Sequence, residues 1–275
     1  MKVSQLFVYP IKSCKGVAVN EADLTMIGLR HDRQFILVDS KGHFLSQRRI
    51  PAMSLIEMKF EKDLLTVSGP DQFSSIAFEL DGYSGPKIEV DIWMKTGYGI
   101  DMGNYAAEWF SDHLGISCRL LGYDYTAENL RRRKPTESNP EGIPLSFADG
   151  FPVLLISVES LADLNGLLAN SVTMERFRPN IVVTGARKPF AEDEWRQAMI
   201  GSTYLVGEKL CERCSVPLTD PKTGIADKRE PLATLKTYRK IPSAPGRKAG
   251  AVVFGKNLSV DQPGILRIGD EVIAD

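Results

Sequence analysis

No stretch of this sequence approaches the ~20 consecutive apolar residues needed to span a bilayer. The opening Met1-Lys2-Val3-Ser4-Gln5-Leu6-Phe7-Val8-Tyr9-Pro10 is too short and too alternating for a secretory leader. A cytoplasmic protein with no membrane partner is the expectation. An excess of one charge is also missing: 34 Lys and Arg face 35 Asp and Glu, a formal charge of −1. No global field therefore draws the chain toward nucleic acid. Cysteine is scarce, and Cys14, Cys118, Cys211 and Cys214 do not make a disulfide framework in 275 residues. That suits a reducing compartment and leaves thiols available as ligands. Histidine is scarcer still, and none of His31, His43 and His113 lies near the close cysteine pair. Internal repeats and low-complexity segments are absent as well.

What is present is a β-rich text long enough for one large domain or two ordinary ones. Short apolar runs at 6–9, 17–19, 35–38, 55–60, 64–67, 76–80 and 88–92 recur at strand spacing, with Ser40-Lys41-Gly42 and Asp81-Gly82 as turns. They predict an antiparallel sandwich or barrel over the first third. Ala106, Trp109, Phe110 and Leu114 repeat at helical spacing, which predicts a helix over 104–114 capped by Asn104. Residues 124–142, with Arg131-Arg132-Arg133-Lys134-Pro135, have no periodicity and read as a long loop, a boundary or a lid. Beyond it come a strand at 153–156, a helix opened by Ser157, strands at 181–184, 198–200, 204–206, 251–254 and 265–268, and a short helix at 232–238. The fold class is mainly β with a few helices (α+β), divided into 1–122 and 123–275.

The chemistry concentrates in Cys211-Glu212-Arg213-Cys214, followed by the turn-forming Asp220-Pro221-Lys222-Thr223-Gly224. The pair could be half of a zinc site, a dithiol, two buried hydrophobes, or a metal-binding thiol at a hairpin end. The thiolate is the metal-binding form of cysteine, and a neighbouring guanidinium favours it. Tyr9-Pro10-Ile11-Lys12-Ser13-Cys14-Lys15-Gly16 leaves a strand through a proline and offers ammonium, hydroxyl and backbone donors; it reads as a phosphate-holding or a merely solvated turn. Arg33 opens an apolar strand and is either a carboxylate partner or a ligand contact. Arg178, held extended by Pro179, is either an ion-pair partner or an anion contact.

Taken together these segments resemble the MOSC superfamily, and within it the members with an N-terminal β-barrel domain, the YcbX-type and amidoxime-reducing-component family. The resemblance rests on Tyr-Pro-Ile-Lys-Ser-Cys-Lys-Gly, Gly-Leu-Arg…Asp-Arg, Phe-Ala-Asp-Gly at 147–150, Ser-Leu-Ala-Asp-Leu-Asn at 160–165, Phe-Arg-Pro-Asn at 177–180, Cys-x-Arg-Cys, Asp-Pro-Lys-Thr-Gly and Glu230-Pro231-Leu232. It implies an N-terminal β-barrel-like domain packed against a MOSC β-barrel domain. It also implies a molybdenum–pyranopterin cofactor (Moco) with Cys214 as metal ligand, and at family level only, pyridoxal phosphate binding. Lys12, Ser13, Arg33, Ser157, Arg178, Asn180 and Arg213 would hold the cofactor, and Asp149 would relay a proton or orient substrate. Pro217 stands where relatives carry a hydroxyl residue. No Cys-rich extension follows the last predicted strand, so a separate flavin or iron–sulfur protein would supply electrons. The implied activity is reduction of N-hydroxylated compounds such as hydroxylamines, amidoximes or hydroxylaminopurines. The other reading is a sulfur carrier or cofactor-handling protein using a Cys214 persulfide.

Overall fold

A computed structural model of the chain describes residues 1–69, 75–92, 95–126, 131–132, 139–241 and 250–275. Its described residues are mainly β, with α-helices at Asn104–Leu114, Val158–Leu167 and Leu232–Tyr238. No described helix is long and apolar enough to cross a membrane. The largest sheet has eight strands in the order Val17–Val19, Lys2–Val8, Ile181–Thr184, Val153–Ser157, Val253–Gln262, Thr203–Glu212, Gln197–Ile200 and Val272–Ala274. Val153–Ser157 and Ile181–Thr184 run parallel, and Val158–Leu167 lies between them in sequence, a βαβ unit inside an otherwise antiparallel sheet. A four-stranded sheet (Phe35–Val38, Arg119–Tyr123, Lys95–Asp101, Lys87–Ile92) and a three-stranded one (Glu57–Glu61, Leu64–Ser68, Ser75–Glu79) follow from the first half of the chain.

Burial explains the patterns. Phe35–Val38 is apolar at every position because its two faces meet different cores: Phe35 and Leu37 pack with Leu65, Phe78 and Phe110, while Ile36 and Val38 pack with Val90, Leu121 and Tyr123. In Leu64–Ser68, by contrast, Leu65 and Val67 go inward and their neighbours outward, the alternation of a half-buried strand. Where Val253–Gln262 crosses Val153–Ser157, Gly255 has φ +84°, and a Cβ there would sit 2.6 Å from Ile156 Cγ1. Only glycine lets the two backbones come this close.

The structure departs from the sequence reading at several places, and Arg178, read as extended before Pro179, has φ +58°. The first strand, Lys2–Val8, joins the eight-stranded sheet by pairing with Ile181–Thr184, and Glu21–Thr25 pairs with Gly264–Arg267. Early residues are thus built into the sheets of late ones. The helix at 104–114 is present, but its cap is Gly103 (φ +90°), not Asn104. The Asn104 side chain instead accepts a hydrogen bond from Arg119 at 3.0 Å, and Asp101 takes the Gly103 N–H at 2.9 Å. In the long polar segment, Arg131–Arg132 pairs with Pro144–Leu145. The rest of the lid reading, at 127–130 and 133–138, falls outside the described residues.

Candidate active site

A cavity of about 330 Å³ lies against one face of the eight-stranded sheet and is walled by residues from both halves of the chain. The register pairs Leu154 with Asn257 and Asn257 with Lys209, so these three side chains share the cavity face. The ladder slips between Leu210 and Glu212, around Cys211. Irregularities of this kind re-aim side chains at strand ends. Cys211 and Cys214 both line the cavity, Cys214 two residues beyond the end of Thr203–Glu212. Lys12, Ser13, Arg33, Asp149, Arg178, Asn180 and Arg213 line it as well. Segments far apart in sequence meet there because Lys2–Val8, Val153–Ser157 and Ile181–Thr184 are neighbours in one sheet.

The cations are arranged around Tyr9, whose ring is buried. The Arg33 and Arg178 guanidinium carbons lie 4.4 and 4.2 Å from its ring centroid, a cation–π arrangement. Arg178 Nη1 donates to the Cys14 carbonyl at 2.6 Å. Burial, with Arg33 as a like charge nearby, pulls the Arg178 pKa down to about 10. Arg178 therefore remains cationic at neutral pH, but at a cost that an anion beside it would offset. Asp32 is the buried carboxylate of this cluster: it accepts from Arg33, from the Tyr9 N–H at 2.9 Å and from Asn180 at 3.0 Å. Burial drives the Tyr9 hydroxyl well above its ordinary pKa, and it donates to the Pro179 carbonyl at 3.0 Å.

Arg213 donates to Cys211 Sγ at 3.0 Å and to the Phe177 carbonyl at 2.8 Å. Its Nε is buried with no hydrogen-bond partner among the described residues, a donor still to be satisfied. Elsewhere in the lining Lys12, 5% exposed, is tied to the Phe147 carbonyl at 2.8 Å and ion-paired with Asp149. Phe44 lies beside it, its ring centroid 5.5 Å from Nζ. Among the described residues no three His, Cys, Asp or Glu side chains cluster to hold a metal ion. A metal at Cys214 would have to bring most of its ligands with it.

Two site readings are revised. Ser157 does not reach the cavity: fully buried, it caps Val158–Leu167, with Oγ accepting from the Ser160 N–H at 3.1 Å and donating to Glu192 at 2.9 Å. The N-cap geometry that starts the helix turns this hydroxyl away from the ligand space. Asn180 does line the cavity, yet its amide is committed to protein. Oδ1 accepts from Arg33 at 3.1 Å and Leu154 N–H at 3.2 Å, while Nδ2 donates to the Phe7 carbonyl at 3.2 Å and to Asp32. Phe44, Ser46, Gln47, Arg48, Lys209 and Asn257 also line the cavity and were not singled out from the sequence. Ser46-Gln47-Arg48 carried a signal, a polar triplet directly after an apolar hairpin, but nothing local aims it at a site.

Residues 1–117 match the MOSC N-terminal beta barrel domain and residues 143–273 match the MOSC domain. The chain therefore belongs to the MOSC family, in the form with an N-terminal β-barrel domain. It is 35% identical over 278 residues to mitochondrial amidoxime-reducing component 1 of Mus musculus, covering 98% of this chain and 81% of that protein. Mitochondrial amidoxime reducing component 2 of Rattus norvegicus is 37% identical over 279 residues, and that of Homo sapiens 35% over 276, each covering 98% of this chain and 82% of the relative.

Proposed function

We propose that the protein is an oxidoreductase that reduces N-hydroxylated compounds, R–NHOH + 2e⁻ + 2H⁺ → R–NH2 + H2O, with a molybdenum–pyranopterin cofactor anchored at Cys214. The observation that carries this reading is a single cavity that brings Cys214 together with Arg33, Arg178, Arg213 and Ser13. The names of the mammalian relatives, amidoxime-reducing components, support the reaction class. The donor set fits the cofactor: one thiol for a soft metal, guanidinium and hydroxyl donors for a phosphate, and the unpartnered Arg213 Nε for a further acceptor. When bound, the cofactor supplies the two-electron redox chemistry.

The chain's own residues do the rest. Cys214 would supply the sulfur ligand, Arg33 and Arg178 would neutralise a bound phosphate, and Asn180 and Asp32 hold Arg33 in place. Asp149 carries protons to the oxygen that leaves as water, and Lys12, bound to it, fixes its position. Electrons come from a separate flavin or iron–sulfur protein. The same reading keeps the division at 122/123, supported by the two family matches that fall on either side of it. It also keeps a cytoplasmic location with no nucleic-acid partner, which cell fractionation tests directly against relatives named mitochondrial.

Metal and pterin analysis of protein from a molybdenum-replete host tests the proposal: close to one of each per chain is expected. Cys214→Ala should lose both the metal and amidoxime reduction with an artificial reductant, and Cys211→Ala should lose little. A metal-free protein carrying cyanide-labile sulfur on Cys214 would replace the reductase with the sulfur carrier.

A further inference from the structure

The loop after Phe35–Val38 contributes Phe44, Ser46, Gln47 and Arg48 to the cavity wall. Gln47 has no part in the mechanism above, yet its situation is unusual. It is only 4% exposed, and its Oε1 is sealed from water with no hydrogen-bond partner among the described residues. Buried amides in native proteins are almost always satisfied, because an unpaired one loses its water and gains nothing in return. Asn180, on the same cavity and 1% exposed, shows the ordinary case, with all four hydrogen bonds made to the protein. One amide of the cavity is a strut. The other leaves its carboxamide oxygen without a partner among the described residues.

We propose that Gln47 is a substrate-recognition residue whose carboxamide pairs with the N–H and N–OH edge of a neutral N-hydroxylated compound; the proposal rests on the reductase reading. Charge argues for a neutral substrate: the carboxamide carries none, while Arg33, Arg178 and Arg213 of the same cavity would serve an anion. Chemistry argues the same way. A carboxamide offers an acceptor and two donors side by side, and half a turn of its terminal torsion exchanges them. An amidoxime or hydroxylamine presents donors and acceptors on adjacent atoms, the complementary pattern. Position agrees. Gln47 shares its loop with Phe44, Phe44 lies beside the Lys12 ammonium, and Lys12 holds Asp149. The carboxamide thus belongs to the wall that carries the proton donor.

The test compares Gln47→Leu with wild type as cofactor-loaded protein, using benzamidoxime as probe. Four quantities are read: metal and pterin content, KM, kcat, and the melting temperature without and with the amidoxime. Loss of one neutral hydrogen-bonding group should raise KM roughly ten-fold with kcat within about two-fold, the pattern of lost binding shared by ground and transition states. Cofactor content should not change. Melting without substrate should stay level or rise, because an unsatisfied buried group has been removed. Unchanged KM overturns the proposal, and so does a fall in pterin content, which would assign the amide to the cofactor. A drop in melting temperature with unchanged KM would make Gln47 a packing residue and also overturn it. If wild type fails to reduce the amidoxime, the reductase reading fails on its own. The thermal shift induced by the amidoxime then still decides Gln47: a shift in wild type that Gln47→Leu loses supports recognition, and equal or absent shifts refute it.

Discussion

Asn180 separates a ligand contact from a structural one, and the two make different predictions for Asn180→Ala. The side chain makes four hydrogen bonds that tie Lys2–Val8, through Phe7, to Val153–Ser157, through Leu154, and both to the Arg33–Asp32 pair. At about 1 kcal/mol net for each hydrogen bond, with partial replacement by water, alanine should cost ~3 kcal/mol. An unfolding entropy of ~2.1 cal/mol/K per residue gives about 0.6 kcal/mol/K for a chain of 275 residues. The melting midpoint should then fall by about 5 °C. Arg33 loses one of its three side-chain hydrogen-bond partners, the others being Asp32 and the Arg178 carbonyl, in the same change, so cofactor retention should fall together with stability. Calorimetry and metal analysis on the same preparation read both. If the midpoint stays within about 1 °C of wild type while the cofactor is lost, Asn180 contacts the ligand and the strut assignment is wrong.

Burial pushes the Cys14 thiol from about 9 up to about 12. Its folded pKa lies above its unfolded one, so its contribution to stability is complete below pH 9 and is lost as pH rises from 9 toward 12. Between pH 8 and pH 10 the loss from this group is about 1.4 kcal/mol. Denaturant titrations should show wild type losing that much more stability than Cys14→Ala over this range, and an equal slope in both would refute the assignment. Asp149 is ion-paired with the buried Lys12 ammonium, but its side chain is 61% exposed and an asparagine there keeps an acceptor for Lys12. Asp149→Asn should therefore melt like wild type and keep its cofactor while turnover falls about a hundred-fold, measured in steady state with an artificial reductant; unchanged turnover would remove Asp149 from the proton path.

Periodicity made some elements legible and glycine hid others. The helix at Leu232–Tyr238 and the strands at Phe35–Val38 and Ile181–Thr184 lie where their apolar patterns put them. Lys95–Asp101 and Arg119–Tyr123 escaped because Gly97, Gly99 and Gly122 interrupt their apolar patterns. Two of these glycines are there for space: a Cβ at Gly122 would sit 2.4 Å from the Tyr83 ring, and one at Gly99 would sit 2.7 Å from Leu121. Within the site, the cations and Cys214 stood out as residue types in motifs. The Lys12–Asp149 pair did not, since 137 residues separate its members. Nor could a sequence show that Asn180 is saturated and Gln47 is not, because both facts depend on what the folded chain places around two chemically similar amides.

The cradle is held in a conformation that residue identity alone would argue against. Ser13, Arg33 and Arg178 adopt φ of +70°, +48° and +58°, left-handed values that cost non-glycine residues roughly 1–2 kcal/mol each. They persist because neighbours over-determine them. The Arg33 N–H donates to the Tyr9 carbonyl at 2.8 Å, the Arg178 N–H to the Glu175 carbonyl at 3.2 Å, and both guanidiniums are pinned by side-chain contacts to buried groups. Strain and charge crowding thus fall on the same two arginines. Asp32 already answers the Arg33 charge, so Arg178, buried with its pKa pulled down to about 10, is where an anion in the cavity would return the most.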